Sequence, residues 1–152
     1  MPRYFYIALF VVAGVAAAIV YRTERPAQQR EAEFGGVSLR IEYATTDAAR
    51  ERGLAGRGSV PDGYGMFFVF PKAGRYGFWM KDTLVPLDIF WLDDKGQVVS
   101  IARDVATSTY PSVFYPAEPA RYVLETAAGF ARAHDIQKGT PLSLKNFPSV
   151  TE

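Results

Sequence analysis

The chain has 152 residues, of which 49% are hydrophobic and 22% are charged, so its length and composition are those of one globular domain and exclude a disordered protein. It contains no cysteine, which excludes disulfides, thiolate metal sites and cysteine nucleophiles. Residues 34–152 carry 13 Lys and Arg (17 − 4) and 13 Asp and Glu (16 − 3), a formal net charge of zero. Because nucleic-acid-binding proteins usually show a basic excess, we expect no nucleic-acid partner.

The N-terminal segment, residues 1–22, differs in composition from the rest of the chain. Residues 4–21 form an uncharged run of 18 residues, which is at the lower limit for a membrane-spanning helix. The run is also compatible with a signal peptide, because Ala16, Ala17 and Ala18 offer a small-x-small cleavage pattern. Residues 1–22 are therefore predicted to be either a membrane anchor or a cleaved signal, with a hydrophobic helix over residues 4–21. Aromatic residues at both of its ends favour the anchor: Tyr4, Phe5, Tyr6 and Tyr21.

The charges around this run give conflicting evidence about its orientation. Arg3 precedes the run, whereas Arg22, Arg25 and Arg30 follow it, so the positive-inside rule alone would place the C-terminus in the cytoplasm. The free N-terminal amine, and the resemblance of the apolar run to a signal peptide, favour the opposite orientation. We expect a cell-membrane protein whose domain is exported to the periplasmic or extracytoplasmic side, with secretion after cleavage as the alternative. The polar residues 23–33 are expected to be a linker.

The first half of the predicted domain, residues 34–152, shows strand patterns separated by one helix signal. Residues 37–43 alternate apolar and polar side chains, which predicts a half-buried strand. The sequence TTD at 45–47 supplies a helix N-cap, and residues 48–54 are predicted to form a short helix. Three aromatic-rich apolar runs bounded by Pro, Gly and Asp are then predicted to be buried strands: residues 66–70, 76–80 and 87–92.

The second half continues with alternating strands and turns. Residues 93–96, DDKG, predict a hairpin turn into a strand over residues 97–103. Residues 106–119 contain three prolines and predict a long loop. Long loops in a compact domain commonly cover part of the domain or bind a ligand. Further elements are a strand at 121–125, a helix at 126–134 and a strand at 142–144. The predicted fold class is mainly β, an antiparallel β-sandwich or partly open barrel that is jelly-roll-like and has two short helices.

Several short motifs follow one another in this domain: GLAGR at 53–57, MFFVF at 66–70, FWMKDT at 78–83, PLDI at 86–89 and PARYVLE at 119–125. By these motifs, which span about residues 36–144, the chain resembles the domain-of-unknown-function family DUF192. The family consists of small bacterial and archaeal proteins that are often exported or membrane-anchored. The resemblance implies a mainly β fold and no established activity. Two positions depart from the usual pattern: Ala55 replaces the commoner Met, and Asp82 replaces the commoner Asn.

Asp88 does not fit a purely apolar strand. Its neighbours in the run at 87–92 are all apolar, and an unpaired carboxylate in such a setting costs several kcal/mol. The structural explanation is a buried ion pair, with Lys81, Arg57 or Arg121 as the partner, or a set of backbone hydrogen bonds. The functional explanation is a polar site at the edge of an aromatic pocket.

Few other residues point to a specific chemistry. His134 is the single histidine and follows a predicted helix, where a cation complements the helix dipole, so it is expected to lie at the surface. One histidine without cysteine does not supply the nitrogen and sulfur ligands that zinc sites in proteins use. The chain contains no nucleophile elbow, phosphate-binding loop or dinucleotide fingerprint. We therefore predict no metal and no cofactor.

The predicted function is that of a non-catalytic ligand-binding or interaction module. A cleft is predicted between the aromatic sheet and the loop at 106–119, and its ligand class is a carbohydrate or a small acidic molecule. The alternatives are a hydrolase-like enzyme that uses Asp88 and Glu125 as an acid–base pair, and a purely structural envelope protein. The candidate binding residues are Arg57, Trp79, Lys81, Asp82, Asp88, Tyr115, Arg121 and Glu125.

Overall fold

A seven-stranded sheet is the framework of the structure, a computed structural model that describes residues 29–148. In chain order the elements are β1 (Gln29–Phe34), β2 (Val37–Ala44), α1 (Asp47–Arg52), β3 (Tyr64–Gly74), β4 (Phe78–Trp79), β5 (Leu87–Leu92), β6 (Val98–Val105), a 3₁₀ turn (Thr107–Thr109), β7 (Val113–Phe114), β8 (Ala120–Ala127), α2 (Phe130–Ala133) and β9 (Leu142–Ser143). The prediction of a mainly β domain with two short helices is confirmed.

The sheet has the strand order β6-β5-β8-β3-β2-β1-β9. The β2–β3 pair is parallel, and α1 lies in the connection between these two strands. The other neighbouring pairs are antiparallel. A parallel pair needs a crossover between its strands, and the segment from α1 to β3 supplies it.

The two edges of the sheet meet at one end, so the sheet is curled into a half-barrel. The backbone N–H of Val98, the first residue of β6, donates to the carbonyl of Thr140 at 3.1 Å, and Leu142 of β9 donates to Gly96 at 2.9 Å. Gln97 and Pro141 form an isolated antiparallel bridge. Of the predicted alternatives, the partly open barrel is the one that matches. A sandwich of two packed sheets is not formed by residues 29–148, because β4 and β7 make only a two-stranded ribbon.

Strands β3, β5 and β8 are buried on both faces, because their side chains alternate between two hydrophobic cores. The core that we call the α2 core contains Phe67, Phe90, Leu124 and Phe130. The core on the opposite face, the α1 core, contains Leu54 just after α1. It also contains the side chains of β3, β4 and β5 that point to the same face, which are Tyr64, Met66, Phe68, Phe70, Phe78, Leu87, Ile89 and Trp91. Each fully buried large apolar side chain contributes about 1.5–3 kcal/mol to folding.

Several predicted boundaries need correction. The strand predicted at 76–80 is limited to the two residues of β4, which pair with β7 inside the predicted loop at 106–119. The helix predicted at 126–134 is limited to α2, because Thr126 is buried inside β8 and does not cap the helix. Gly129 takes the N-cap position instead, with a φ of 87° that favours glycine. Residues 29–33, expected in the linker, form most of β1.

The predicted hydrophobic helix at 4–21 lies outside the described residues. Within residues 29–148, no helix has the length and apolar character that crossing a membrane requires.

Candidate functional site

A pocket of about 280 Å³ opens on the α1 face of the sheet. It lies between the C-terminal part of α1, strand β3 and the segment that contains β4. Five aromatic side chains contribute to its wall, charged side chains of α1 and Lys81 also line it, and the carboxyl group of Glu125 lies at its buried end. The pocket joins three of the predicted site residues, Trp79, Lys81 and Glu125.

The pairing of β8 directs Glu125 into this pocket. Glu125 lies in β8 opposite Met66 of β3 and Ile89 of β5, and both of these neighbours belong to the α1 core. Only 5% of Glu125 is exposed to solvent. Among the described residues its Oε2 atom has no hydrogen-bond partner. Burial raises the pKa of Glu125 to about 8, because a charged carboxylate is poorly stabilised away from water.

Gly53 ends α1 next to this carboxyl group. Its backbone has φ 51° and ψ −135°, a conformation that is costly for any residue with a side chain. A Cβ atom at Gly53 would lie 3.5 Å from the Phe68 ring and 3.8 Å from Oε2 of Glu125. The glycine therefore ends the helix against the floor of the pocket without filling it.

The aromatic wall is held by ring packing and by one backbone contact. Phe78 packs edge-on against Phe68 at a centroid distance of 4.9 Å, and Phe70 stacks on Tyr76 at 3.6 Å. The indole Nε1 of Trp91 donates to the carbonyl of Tyr76 at 2.9 Å, which fixes the turn before β4. Side chains on β4 then alternate, so Phe78 is buried while its neighbour remains accessible.

That neighbour is Trp79, which is 45% exposed and lines the pocket. The Nζ atom of Lys81 lies 5.8 Å from the centroid of the Trp79 ring, within the range of a cation–π contact. An exposed indole beside a cation is a surface on which a ring-shaped polar ligand can stack.

Charged side chains of α1 complete the opening. Arg50 is held in place, because it donates to the carbonyls of Thr45 and Val69 at 2.7 Å each and pairs with Asp47 at 2.6 Å. Arg52 and Lys81 are both exposed, and neither takes part in an ion pair within residues 29–148. The opening therefore presents two cationic groups that form no salt bridge within those residues, with the acidic side chain of Glu51 also in the lining.

Asp88 lies on the opposite face of the sheet, in the α2 core. Its carboxylate accepts hydrogen bonds from the backbone N–H groups of Asp104 at 2.7 Å and Ala131 at 2.8 Å. The predicted pairing with Lys81, Arg57 or Arg121 is therefore wrong, and backbone hydrogen bonds, the other structural explanation, account for its burial.

The proposed acid–base pair of a hydrolase is also wrong. Asp88 stands opposite Thr126, and the next residue of β5, Ile89, stands opposite Glu125. Because successive side chains point to opposite faces, Asp88 and Glu125 are on different sides of the sheet. The two carboxyl groups cannot act on one substrate.

Besides Asp88, four predicted site residues lie outside the pocket lining. Arg57 pairs with Glu42 at 2.8 Å, and Arg121 donates to the carbonyl of Phe70 at 3.2 Å. Asp82 is exposed in a turn, where its carbonyl accepts from Gly56. Tyr115 is 63% exposed. A Cβ atom on Gly77 would lie 2.6 Å from its ring, so Tyr115 packs over the backbone that precedes β4.

The pocket also contains residues that were not predicted: Arg50, Glu51, Arg52, Gly53, Phe68, Phe70, Tyr76, Phe78 and Thr83 are among them. The alternation of the run at 66–70 could have placed Phe68 and Phe70 on one face. Nothing in the local pattern indicates that α1 packs beside β4, because that contact depends on the β2–β3 crossover. Within the described part of the chain, no group of three His, Asp or Glu side chains is placed to hold a metal ion.

Comparison with known proteins gives the family of the chain. Residues 29–144 match the model of DUF192, described as "Uncharacterized ACR". The chain belongs to the DUF192 family. A "UPF0127 protein" from Thermococcus gammatolerans is 32% identical to this DUF192 chain over 105 residues. The match covers 68% of the chain and 65% of the relative, slightly under two thirds of the relative's length.

Two solved structures resemble the DUF192 domain described here. A "putative transcription regulator" from Sinorhizobium meliloti is 25% identical, with a TM-score of 0.74, and the match covers 79% of this chain and 96% of that one. A protein of unknown function from Novosphingobium aromaticivorans is 27% identical, with a TM-score of 0.71 and coverage of 79% and 90%.

Proposed function

We propose that this DUF192 domain is a non-catalytic module that binds a small polar ligand, with a carbohydrate as the first class to test, in the pocket between α1 and β4. The observation that carries the proposal is the buried carboxyl oxygen of Glu125, which has no partner within the described residues and lines an open, aromatic pocket. A buried polar group without a partner costs free energy, so a protein retains one most readily where a ligand satisfies it.

The character of the pocket supports a polar ring as the ligand. Pockets for small molecules combine apolar walls with a few convergent polar groups. Here the aromatic wall, the indole of Trp79 and the polar groups of Glu125 and Lys81 supply both. Sugars present apolar C–H faces that stack on aromatic rings and hydroxyls that require hydrogen bonds.

The separation of Asp88 from Glu125 supports binding over hydrolysis, because the acid–base pair that motivated an enzyme is divided by the sheet. The name of the Sinorhizobium neighbour concerns transcription, but residues 34–152 of this chain have no net charge. We therefore retain a small-molecule ligand and no nucleic acid in the proposal. The domain is proposed to act on the exported side of a membrane, tethered through residues 1–22.

Trp79→Ala tests the position of the ligand. We would first screen the purified protein by thermal shift against neutral sugars, amino sugars, uronic acids and small organic acids, and then measure the affinity of the best ligand. Removing the indole should weaken binding about tenfold or more. The free energy of unfolding should change by less than the roughly 3–5 kcal/mol typical of a buried aromatic, because Trp79 is 45% exposed.

Leu84→Ala is the matched control, because Leu84 is 62% exposed and does not line the pocket. It should leave affinity unchanged. Equal losses of affinity in the two variants would place the ligand elsewhere, and a screen without any ligand would remove sugars and small organic acids from the proposal.

A further inference from the structure

The two ends of the pocket differ in charge. At the buried end, Oε2 of Glu125 has no hydrogen-bond partner among the described residues, and no cation of those residues lies within ion-pair distance of the carboxyl group. At the open end lie Arg52 and Lys81, which are exposed and form no salt bridge within the same residues. A ligand that fills the pocket must therefore contact a buried carboxyl group at one end and two cationic side chains at the other.

The protonation state of Glu125 sets the charge of the whole lining. Arg50, Arg52 and Lys81 contribute three positive charges and Glu51 one negative charge, so the lining carries 3 − 1 = +2 when Glu125 is neutral and +1 when it is ionised. A cationic ligand would have to pass the positive opening to reach Glu125. An anionic ligand is attracted by the net positive charge of the lining, and ionisation of Glu125 would reduce that attraction.

The surroundings of Glu125 favour its neutral form. The neighbouring side chains on β3 and β5 that share its face, Met66 and Ile89, are apolar. The titratable groups that α1 contributes to the pocket are Arg50, Glu51 and Arg52, and those of the β4 segment are Tyr76 and Lys81.

On β8 itself, Arg121 is engaged by the carbonyl of Phe70. Burial raises the pKa of Glu125 to about 8, and none of these groups counteracts it. Glu125 is therefore a hydrogen-bond donor at neutral pH.

The volume of the pocket limits the ligand to one ring. A volume of about 280 Å³ is just below the range of roughly 300–1,000 Å³ that is typical of small-molecule sites. One wall of the opening is the face of Trp79, with the Lys81 ammonium 5.8 Å from the ring centroid. A ring that stacks on this indole places its substituents toward the cation at one end and toward Glu125 at the other.

We infer that the pocket takes an anionic sugar of monosaccharide size, a uronic acid in chemical class, with protonated Glu125 donating to a ring or hydroxyl oxygen and Arg52 and Lys81 facing the ligand carboxylate. This inference rests on the proposed function and deepens it. Its consequence is pH-dependent affinity. As pH rises through the ionisation of Glu125, the floor loses its donor and gains a charge of the same sign as that of the ligand, so binding weakens.

The experiment is isothermal titration calorimetry of the full chain with glucuronate and galacturonate, using glucose, galactose and glucosamine as comparison probes, at pH 6 and pH 9. For the wild type, the uronates should bind more tightly than their neutral parents at pH 6, and should lose about tenfold or more in affinity at pH 9. Glu125→Gln, which keeps an N–H donor and cannot ionise, should bind with an affinity independent of pH. Lys81→Gln should lose the preference for uronate, whereas Lys95→Gln, in a turn remote from the pocket lining, should keep it.

The outcomes separate the inference from the proposed function. If neutral sugars bind as well as uronates and without pH dependence, the anionic ligand is wrong and the sugar pocket stands. If glucosamine is preferred, or if uronate binding strengthens with pH, Glu125 acts as a carboxylate and the inference is overturned.

If no probe binds at either pH, the inference and the sugar proposal both fail. The pH profile of the wild type distinguishes these outcomes even if Glu125→Gln does not fold. An independent readout is the ¹³C NMR titration of the Glu125 carboxyl carbon in the ligand-free protein, where an ordinary glutamate titration would contradict a neutral floor.

Discussion

Two buried carboxyl groups on adjacent strands differ in the number of hydrogen bonds that they receive from neighbouring groups. Asp88 is completely buried, and its oxygens accept two backbone N–H groups at 2.7 and 2.8 Å. Glu125 is almost as buried, yet its Oε2 atom has no partner within residues 29–148. Hydrogen bonds to a carboxylate stabilise its charge, whereas burial alone opposes it. The first carboxyl group therefore serves the fold, and the second is retained at a cost that a ligand can offset.

The stability of the protein should reflect this cost as a function of pH. The pKa of Glu125 is about 8 in the folded protein against a usual value of 4.5. Between these values the unfolded chain loses a proton that the folded protein keeps, so the free energy of unfolding falls as pH rises from about 4.5 to 8, by at most about 5 kcal/mol. Urea unfolding of the wild type and of Glu125→Gln at several pH values measures the effect.

Because a glutamine side chain does not titrate, the Glu125→Gln variant should gain in stability relative to the wild type as pH rises through this window. Glu51→Gln is the control: Glu51 also lines the pocket but is exposed, and this change should leave the wild-type pH profile unaltered. Parallel profiles for the wild type and Glu125→Gln would show that Glu125 titrates alike in the folded and unfolded states.

At the level of elements, Asp88 joins three parts of the chain. It belongs to β5, accepts from Asp104 near the end of β6, and accepts from Ala131 in α2. Helix α2 has four residues and lacks a side-chain cap at Gly129, so it depends on tertiary contacts. The Phe130 ring stacks on Phe34 at 6.1 Å and meets Phe90 edge-on at 6.3 Å, which attaches the helix to the α2 core.

Removing the Asp88 carboxylate should disconnect these elements. In Asp88→Ala two backbone N–H groups lose their acceptor, and each such loss costs about 1–3 kcal/mol, so we expect a destabilisation of roughly 2–6 kcal/mol. Chemical denaturation gives the value, and hydrogen exchange should show faster exchange of the Ala131 amide.

Asp62→Ala is a suitable control, because Asp62 is exposed and its side chain makes no hydrogen bond within the described chain. It should change stability by less than about 0.5 kcal/mol. A loss below about 1 kcal/mol in Asp88→Ala would mean that other groups or water satisfy the two amides.

At the level of the molecule, the curled sheet brings distant segments together. Its edges join where Val98 meets residues 139 and 140 through hydrogen bonds of 2.8 and 3.1 Å. The pocket opens on the α1 face of this sheet, and its lining comes from residues 50–54, 68–83 and Glu125. A ligand in this pocket would contact both the crossover after β2 and strand β8, so binding should stabilise the whole domain and raise its Tm.

The location of the molecule is tested through the N-terminal run. Residues 4–21, which lie outside the described part, are predicted to tether the domain to a membrane with residues 34–152 on the exported side. A C-terminal reporter that is active only after export should be active, and deletion of residues 1–22 should abolish this activity. Activity of a cytoplasm-only reporter would reverse the orientation, whereas a shortened soluble product would favour cleavage near Ala18.

The sequence by itself determined the periodic features of this protein. The alternation at 37–43, the apolar runs at 66–70 and 87–92 and the turn at 93–96 each depend on neighbouring residues, and each is found where it was predicted. The motifs also indicated the DUF192 family, which the match over residues 29–144 establishes. Local patterns were sufficient because strand and turn preferences act over a few residues.

Only the tertiary structure decided which polar groups meet. The sequence places Lys81 and Asp88 seven residues apart and suggests an ion pair, but strand pairing sends Asp88 into the α2 core, where backbone N–H groups satisfy it. The sequence also suggests Asp88 and Glu125 as an acid–base pair, but the register of β5 and β8 places the two side chains on opposite faces of the sheet. Register and crossover are long-range properties, and a shift of one residue reverses the face of every side chain. For that reason the pocket around Glu125 emerged from the fold and not from any motif.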